Sequence, residues 1–245
     1  MSKKIALVTG GMGGIGTAIC QRLAKDGMIV IAGCSAGRNY QEWLDEQKEL
    51  GFDFYAMPAD VADWESTKAA VEEVSKKVGE IDVLVNNAGI TRDTTFSRMT
   101  LEQWQDVINT NLNSLFNVTK QVIDKMADNG WGRVINISSI NGQKGQFGQT
   151  NYSAAKAGMH GFTKALAQEY ARKGVTVNTV SPGYIGTDMV RAVREDVLEK
   201  IVASIPVRRL GEPEEIASIV SWLASDDAGF TTGADFSING GLHMY

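Results

Sequence analysis

Three residues that could move a proton occur at spacings that bring them close together. Tyr152 and Lys156 stand four residues apart in the stretch NYSAAKAG, and Ser139 ends the apolar run RVINISS. Residues at i and i+4 share one face of a helix, about 5–6 Å apart at their Cβ atoms. A neighbouring ammonium favours the phenolate and lowers the pKa of a tyrosine from about 10. The spacing therefore predicts a proton-transfer site in which Lys156 activates Tyr152 and Ser139 hydrogen-bonds the reacting oxygen.

The secondary-structure elements that must position this site are predicted from apolar runs that alternate with amphipathic stretches. The runs are short, nearly continuous and rich in β-branched residues, which is typical of parallel strands covered on both faces. Strand–helix alternation of this kind predicts right-handed βαβ crossovers. We therefore predict an α/β fold for residues 1–245: a single-domain Rossmann-type doubly wound sheet of seven mainly parallel strands, with helices on both faces. The predicted strands are Lys4–Thr9, Met28–Gly33, Phe52–Met57, Ile81–Asn86, Arg133–Ser138, Val175–Val180 and Ala234–Ile238.

The stretches between the strands have helical periodicity, and the longest cover residues 101–130 and 152–174. Glycine often follows the last residue of a helix. It stands at this position at Gly27, Gly79, Gly130 and Gly174. Residues 183–212 interrupt the alternation and contain the short amphipathic pattern VREDVLEKIVASIP. An insertion at this place is predicted to form a lid over the site.

Composition argues against several classes of function. The 245 residues are 43% hydrophobic and 22% charged, with a formal net charge of −5, so a soluble globular protein is expected and nucleic acid is not an expected partner. Two isolated cysteines, Cys20 and Cys34, and two histidines predict neither a disulfide nor a metal site. The first apolar run is too short for a secretion signal, and no stretch approaches the ~18 apolar residues of a membrane span. A cytoplasmic location is therefore expected.

A glycine-rich turn after the first predicted strand is a candidate phosphate-binding loop. In VTGGMGGIG, Gly10, Gly14 and Gly16 have the spacing G-x-x-x-G-x-G. Glycines here allow a tight turn and a close approach to a pyrophosphate, which the N–H groups of the following helix can bind. A plain strand–helix turn also uses glycine, but the position in the first βα unit favours dinucleotide binding.

The end of the second predicted strand indicates which dinucleotide is expected. An NAD site usually has an acidic residue here that binds the ribose 2′-hydroxyl. The stretch GCSAGR contains no acid, and its Ser35 and Arg38 can bind a 2′-phosphate. NADPH/NADP+ is therefore the predicted cofactor. The alternative is that Arg38 is a solvated loop residue.

Four separately placed motifs resemble those of the short-chain dehydrogenase/reductase family. They are TGGMGGIG, NNAG, Ser139 and YSAAK, and the resemblance covers essentially the whole chain. It implies an enzyme in which Tyr152 donates a proton to a ketone oxygen that Ser139 binds, while Lys156 also holds the nicotinamide ribose. Asn111 matches the family asparagine that anchors a water in the proton relay behind the lysine. The alternative for Asn111 is a residue that distorts its helix and bonds only to backbone.

The same resemblance implies which residues hold the cofactor. Met12 and Gly13 stand where many NADPH-dependent relatives carry a basic residue, which places more of the phosphate recognition on Ser35 and Arg38. Pro182 could be a strand terminator, but it follows a strand at the sheet edge where such folds bind ligands. The implied cofactor-binding residues are Gly10, Met12, Gly13, Gly14, Ile15, Gly16, Ser35, Arg38, Asp60, Val61, Asn87, Ala88, Gly89, Tyr152, Lys156, Pro182, Gly183, Ile185 and Thr187.

Longer stretches narrow the substrate class. NGQKGQFGQTNYSAAKAGMHGFTKALAQE, GWGRVINISS, NAGITRD and INGGLHMY are similar to reductases of 3-oxoacyl thioesters. The similarity implies NADPH-dependent reduction of acetoacetyl-CoA to (R)-3-hydroxybutyryl-CoA, as in polyhydroxybutyrate synthesis. A 3-oxoacyl-[acyl-carrier-protein] reductase of fatty-acid synthesis is the alternative. An inert dinucleotide-binding sensor is a second alternative, but it would be expected to lose Tyr152 or Lys156.

The loop before Tyr152 is predicted to form one wall of the substrate pocket, although each of its residues could simply pack within the loop. Lys144, Arg191 and Arg194 are candidates to meet the phosphates of CoA. Family members pair the helices of residues 101–130 and 152–174 across subunits, which implies a homotetramer, although core packing could explain some of their apolar residues. The candidate substrate-binding residues are Asp93, Ser139, Gln146, Phe147, Gln149, Tyr152 and Tyr184.

Overall fold

A parallel sheet lies at the centre of the fold. The computed structural model describes residues 3–187, 190 and 194–244. Within these residues the sheet has seven strands in the order β3-β2-β1-β4-β5-β6-β7, and every neighbouring pair is parallel. The strand order reverses between β1 and β4, which is where doubly wound sheets bind ligands. The strands are β1 (Ile5–Val8), β2 (Ile29–Cys34), β3 (Tyr55–Pro58), β4 (Val83–Asn86), β5 (Gly132–Ile137), β6 (Val175–Pro182) and β7 (Asp235–Ile238).

Helices connect the strands and cover both faces of the sheet. A π turn (Asn109–Asn113) joins the fourth and fifth helices, and 3-10 turns occupy Phe96–Arg98 and Ala171–Lys173. The helices are α1 (Gly14–Lys25), α2 (Gln41–Glu49), α3 (Trp64–Val78), α4 (Leu101–Ile108), α5 (Ser114–Asp128), α6 (Ile140–Lys144), α7 (Thr150–Tyr170), α8 (Glu195–Ser204) and α9 (Pro213–Leu223).

Alternation along each strand divides the core into two layers. Ala6 and Val8 of β1 face the layer that contains α1, α2 and α9. Ile5 and Leu7 of the same strand face the layer that contains α3, α5 and α7. Successive side chains of a strand point to opposite faces, so a strand buried on both faces must be apolar throughout. Each fully buried aliphatic side chain of this kind contributes about 1.5–3 kcal/mol relative to exposure.

The predicted α/β doubly wound fold is confirmed, and the sheet is parallel throughout its described strands. The prediction is wrong at the start of β3, which begins at Tyr55 rather than Phe52. Phe52 instead stacks on Phe54, with ring centroids 5.7 Å apart, and Phe54 stacks on Trp43 of α2. The aromatic run therefore packs under α2 before the strand begins.

The long helical pattern at 101–130 is interrupted in the structure. The π turn separates α4 from α5 and contains the fully buried Asn111. Its side-chain amide donates to the main-chain oxygen of Val107, four residues earlier, at 2.8 Å. Polar side chains that bond to the backbone compete with regular helical bonds, so Asn111 accounts for the local change of helix type.

The predicted lid is described only in part. Residues 188, 189 and 191–193, with the candidate Arg191, lie outside the described residues. The described part contains α8, and the segment after it is anchored by the buried Ile205 and Leu210. Of the helices that the structure describes, none is long and apolar enough to cross a membrane.

Candidate active site

Two adjoining cavities of about 550 and 500 Å³ open at the carboxyl edge of the sheet. They share Gly10, Ser35 and Ala88, among other residues, and so form one elongated cleft across the switch point. Asp60 and Val61 line the second cavity, and all the other predicted cofactor-binding residues line the first. The structure thus brings together every residue for which a cofactor contact was predicted.

The phosphate loop has the geometry that its glycines predict. A Cβ atom on Gly16 would lie 2.1 Å from the oxygen of Gly10, and one on Gly14 would lie 2.8 Å from Cγ2 of Thr187. Helix α1 begins at Gly14 with Gly13 as its N-cap, and no side chain caps it. The first turn of α1 lines the cavity, and among the described residues no side chain caps its N–H groups, which fits a pyrophosphate.

Asn87 ties the phosphate loop to the end of β4. Its Nδ2 donates to the main-chain oxygens of Thr9 and Gly10, at 3.1 and 3.0 Å. In return, Thr9 Oγ1 accepts from the backbone N–H groups of Asn87 and Ala88, at 3.0 and 3.1 Å. These bonds join the ends of β1 and β4, so the NNAG motif holds the floor of the cleft in place.

The end of β2 carries a cation and no acid. Ser35 and Arg38 line the first cavity and are joined by a turn in which Arg38 N donates to Ser35 O at 3.0 Å. Burial raises the pKa of the Cys34 thiol, and the guanidinium of Arg38 opposes this shift, so its positive charge lies near the strand end. A hydroxyl and a guanidinium at this place fit a 2′-phosphate.

Strand β5 and helix α7 bring the catalytic candidates together. Ser139 follows β5, caps α6, and accepts from Asn141 N at 3.1 Å. It also hydrogen-bonds Tyr152, which lies near the start of α7. Lys156 is 3% exposed, and its Nζ donates to the main-chain oxygen of Ile137 at 2.8 Å. The predicted group of phenol, hydroxyl and ammonium is therefore assembled on one wall of the first cavity.

The electrostatics of this group differ from the sequence-based expectation. Burial raises the pKa of Tyr152, Asp93 raises it further, and the hydrogen bond from Ser139 only partly opposes them. Burial also lowers the pKa of Lys156 to about 7. The pKa of Tyr152 thus lies above its usual value, because burial is the largest cause of the shift and Lys156 is not among the causes. The prediction that this pKa is lowered is therefore wrong. The phenol keeps its proton at neutral pH, as a general acid must.

Asn111 lies behind the lysine rather than in either cavity. Its Nδ2 donates to the main-chain oxygens of Val107 and Ile90, and its Oδ1 accepts from Ile90 N at 3.2 Å. A Cβ atom on Gly89 would lie 2.6 Å from Asn111 Oδ1 and 3.5 Å from Lys156 Nζ, so these two atoms are at most about 6 Å apart. Both amide hydrogens are used by backbone, and a relay water could bond only to oxygens of Asn111. Its role in a relay stays a prediction.

The candidate substrate residues fall into two groups. Ser139, Tyr152 and Tyr184 line the first cavity, whereas the other four candidates lie outside both linings. Gln149 Nε2 donates to Asp93 Oδ2 at 2.7 Å. Lys144 Nζ donates to Gln146 Oε1 at 2.7 Å, and the Phe147 side chain is 87% exposed.

Asn141 is a residue at this site that the sequence analysis missed. Its Nδ2 donates to Gln149 Oε1 at 2.9 Å, and its backbone N–H donates to Ser139 Oγ. A hydrogen-bonded chain thus runs from Asp93 through Gln149 and Asn141 to Ser139. The sequence signal was an amide residue two positions after Ser139, but its partners are distant in sequence.

Fold and site together define a class of protein, an oxidoreductase that uses a nicotinamide dinucleotide. A family model described as short chain dehydrogenase matches residues 4–198. The chain belongs to the short-chain dehydrogenase/reductase family.

Individual relatives cover the whole chain. An acetoacetyl-CoA reductase of Cupriavidus necator is 71% identical over 245 residues, which are 100% of both chains. A nodulation protein G of Azospirillum brasilense is 62% identical over 99% of both chains. A 3-oxoacyl-[acyl-carrier-protein] reductase of Pseudomonas aeruginosa is 45% identical over 98% of both chains.

Proposed function

We propose that this protein reduces acetoacetyl-CoA to (R)-3-hydroxybutyryl-CoA with NADPH, as a step of polyhydroxybutyrate synthesis. The observation that carries the proposal is the assembly of Ser139, Tyr152 and Lys156 on the wall of a dinucleotide-sized cleft. Support for this substrate comes from the reductases that resemble the chain. Those named for acetoacetyl-CoA are 51–71% identical, and the carrier-protein reductase is 45% identical.

In the proposed reaction, bound NADPH supplies the hydride that the carbonyl carbon accepts. Tyr152 gives its phenolic proton to the carbonyl oxygen, which becomes the hydroxyl of the product. Ser139 Oγ accepts from Asn141 N, and its O–H is proposed to turn from Tyr152 to the carbonyl oxygen of the bound substrate and stabilise the charge that develops on it. Lys156, with a pKa of about 7, can return a proton to the phenolate. Asn111 is the proposed inner end of the relay.

The preference for NADPH over NADH rests on the end of β2. Ser35 and Arg38 face the cleft where an NAD site usually presents a carboxylate. An acidic residue there would repel a 2′-phosphate, whereas a guanidinium attracts it. The glycine loop adds no cation, because Met12 and Gly13 occupy its tip.

The acyl thioester is proposed to enter over Tyr184 and the loop before Tyr152. Tyr184 lines the first cavity beside Pro182 and Gly183, at the start of the predicted lid. The exposed Phe147 offers an apolar surface in the loop before Tyr152. Gln146, Gln149 and Asp93 are proposed to meet the thioester after exchanging their present partners. The lid at about 183–212 is proposed to close over the substrate.

Assembly and location complete the proposal. Phe116 of α5 is 57% exposed and stacks on Trp64, with ring centroids 5.6 Å apart. The exposed Phe116 ring on the half-buried Trp64 supports burial of this surface against another subunit. We propose a homotetramer in the cytoplasm. The molar mass in solution, measured by light scattering, tests the assembly.

The decisive experiment measures NADPH oxidation by the purified protein with acetoacetyl-CoA and, separately, with acetoacetyl-carrier protein. Rapid turnover of the CoA thioester to the (R)-alcohol, established by chiral analysis, is the expected result. A strong preference for the carrier-protein thioester would instead assign the protein to fatty-acid synthesis. Inactivity with both would overturn the proposed substrate.

A further inference from the structure

The residue before Ser139 carries a buried hydroxyl that the mechanism does not use. Ser138 is 4% exposed, and its Oγ donates to the main-chain oxygen of Lys156 at 2.9 Å. The ammonium of Lys156 is held by the oxygen of Ile137, one residue earlier. Two consecutive residues at the end of β5 thus bind both the backbone and the side chain of Lys156, and the next residue is Ser139.

His160 holds the Ser138 hydroxyl from the other side. It follows Lys156 by one turn of α7, and its Nε2 lies 3.0 Å from Ser138 Oγ. The proton of Ser138 is already used in the bond to Lys156, so Ser138 Oγ accepts and His160 Nε2 must carry a hydrogen. The contact therefore assigns the tautomer of His160 and gives the bond a direction.

A second layer of polar groups fixes His160. Its Nε2 is 3.4 Å from Ser181 Oγ and 3.5 Å from Asp235 Oδ2. Ser181 Oγ donates to Asp235 Oδ1 at 2.7 Å, and Gln143 Nε2 donates to Asp235 Oδ2 at 2.8 Å. The bonds tie α7 to β6, β7 and α6 around the end of β5. A partly buried network of this kind restricts the geometry of its members, although Gln143 Oε1 has no hydrogen-bond partner among the described residues.

We propose that Ser138 and His160 are positioning residues that lock Lys156 and Ser139 into one fixed spacing. The lock acts through main chain, because Ser138 joins the backbone of the lysine to the strand end that carries Ser139. A displacement of about 1 Å at such a site can cost about 100-fold in rate. The expected loss of rate rests on the proposed reductase function.

The charged groups around His160 are consistent with a neutral imidazole. Burial lowers the pKa of His160 first, Asp235 on β7 opposes this shift, and Lys164 on α7 adds to it. A neutral imidazole with hydrogen on Nε2 can be replaced by glutamine, whose side-chain N–H groups supply a similar donor. Leucine removes the donor at similar size.

The test compares two pairs of variants with one control. Ser138→Ala and His160→Leu remove the donors, whereas Ser138→Thr and His160→Gln keep them. Ser153→Ala is the matched control, because Ser153 Oγ is buried on the same helix and has no hydrogen-bond partner among the described residues. Steady-state kinetics with acetoacetyl-CoA should show kcat reduced about 10-fold or more in the two donor-deleting variants, as expected for a misplaced catalytic group. KM should stay close to that of the wild type, and the donor-keeping variants should recover most of the rate.

A second readout does not need turnover. NMR of 13C-labelled lysine follows the pKa of Lys156, which burial holds at about 7. Ser138→Ala should raise this pKa, because a loosened strand end admits water to the ammonium, and Ser153→Ala should not change it. If wild-type protein turns over no acetoacetyl-CoA, the proposed function fails and this pKa still decides the positioning role. An unchanged pKa in Ser138→Ala, or equal kcat in Ser138→Ala and Ser153→Ala, would overturn the inference.

Discussion

Lys156 Nζ lies 2.8 Å from the main-chain oxygen of Ile137, and 5.5 Å from the centroid of the Tyr152 ring. The lysine is therefore held by the end of β5 and not by the phenol. Because both groups are buried, the pKa of the tyrosine is raised and that of the lysine is lowered to about 7. Tyr152 is therefore protonated at neutral pH and can donate the proton that reduction of a ketone requires.

Removal of the phenolic hydroxyl tests the acid directly. Tyr152→Phe deletes the proton donor and little volume, so kcat should fall by about 10²-fold or more, the usual size of general acid catalysis. The affinity for NADPH, measured by fluorescence titration, should change little. Tyr55→Phe on the edge strand β3 is the control and should keep full activity. A Tyr152→Phe enzyme that retains its rate would remove Tyr152 from the assigned role.

Gly13 is a residue whose replacement should weaken cofactor binding without disturbing the fold. Among the described residues, a Cβ atom on Gly13 would meet only the oxygen of Gly10, at 3.6 Å, so this part of the chain has room for it. A bound pyrophosphate would occupy that space, and Gly13→Ala should therefore weaken NADPH binding by about 10-fold or more while the protein stays folded. Gly161→Ala is the control, because no atom of the part of the chain that the structure describes lies within 4 Å of its added Cβ on the exposed face of α7. Equal NADPH affinities in the two variants would mean that phosphate is bound elsewhere.

Charge reversal at the end of β2 tests the cofactor preference. Arg38→Asp places a carboxylate where a 2′-phosphate is expected, so the dissociation constant for NADPH should rise about 10-fold or more, and that for NADH should change less. Arg172→Asp, in the exposed 3-10 turn that follows α7, controls for the change in net charge. An unchanged ratio of the two dissociation constants would show that another residue reads the phosphate.

Local patterns sufficed for the fold and for the cofactor cleft. The strands follow from short apolar runs, and the cleft is built from loops that directly follow those strands, such as Gly10–Gly16 after β1 and Asn87–Gly89 after β4. In a doubly wound sheet the topology brings such loops to one edge, so their side chains meet without further information. The predicted cofactor residues accordingly all line the cleft.

Local sequence patterns could not predict the contacts between residues far apart in the chain, or how deeply each side chain is buried. Asn141 and Gln149 meet through side-chain geometry, and Asp93 joins them from 56 residues away. The sequence shows the lysine near Tyr152 but not the burial of the phenol, and burial is the largest cause of the raised pKa of Tyr152. The side chain of Asn111 in the π turn likewise bonds Ile90, 21 residues earlier, which no local pattern indicates.

Asp93 should affect the pH dependence of reduction. Its carboxylate raises the pKa of Tyr152, so Asp93→Asn should lower that pKa while keeping an oxygen for Gln149. Reduction needs the protonated phenol, and the alkaline fall in kcat should therefore move to lower pH. The shift should be small and weaken in high salt, because Asp93 is exposed. Gln149→Leu breaks the hydrogen bond but keeps the charge, and its profile should not move; a shift of equal size in both variants would exclude the electrostatic cause.

Lys156 should give the stability of the protein a defined dependence on pH. Its pKa is about 7 in the folded chain against a reference value of 10.5, so between these values the unfolded chain binds a proton that the folded chain does not. The contribution of Lys156 to the free energy of unfolding is therefore lowest below pH 7 and rises with pH up to about 10.5. Lys156→Met has no titrating group at this position and serves as the reference. Between about pH 6 and pH 9.5, the free energy of unfolding of the wild type should rise by up to about 3 kcal/mol relative to this variant. Each unit of difference between the pKa values of the folded and unfolded chain corresponds to about 1.4 kcal/mol. Urea unfolding at the two pH values measures this gain, and Lys76→Met, an exposed lysine on α3, should show no such dependence. A stability difference between wild type and Lys156→Met that stays constant with pH would mean that the ammonium is solvated, and the lysine could not then serve as a proton donor tuned to neutrality.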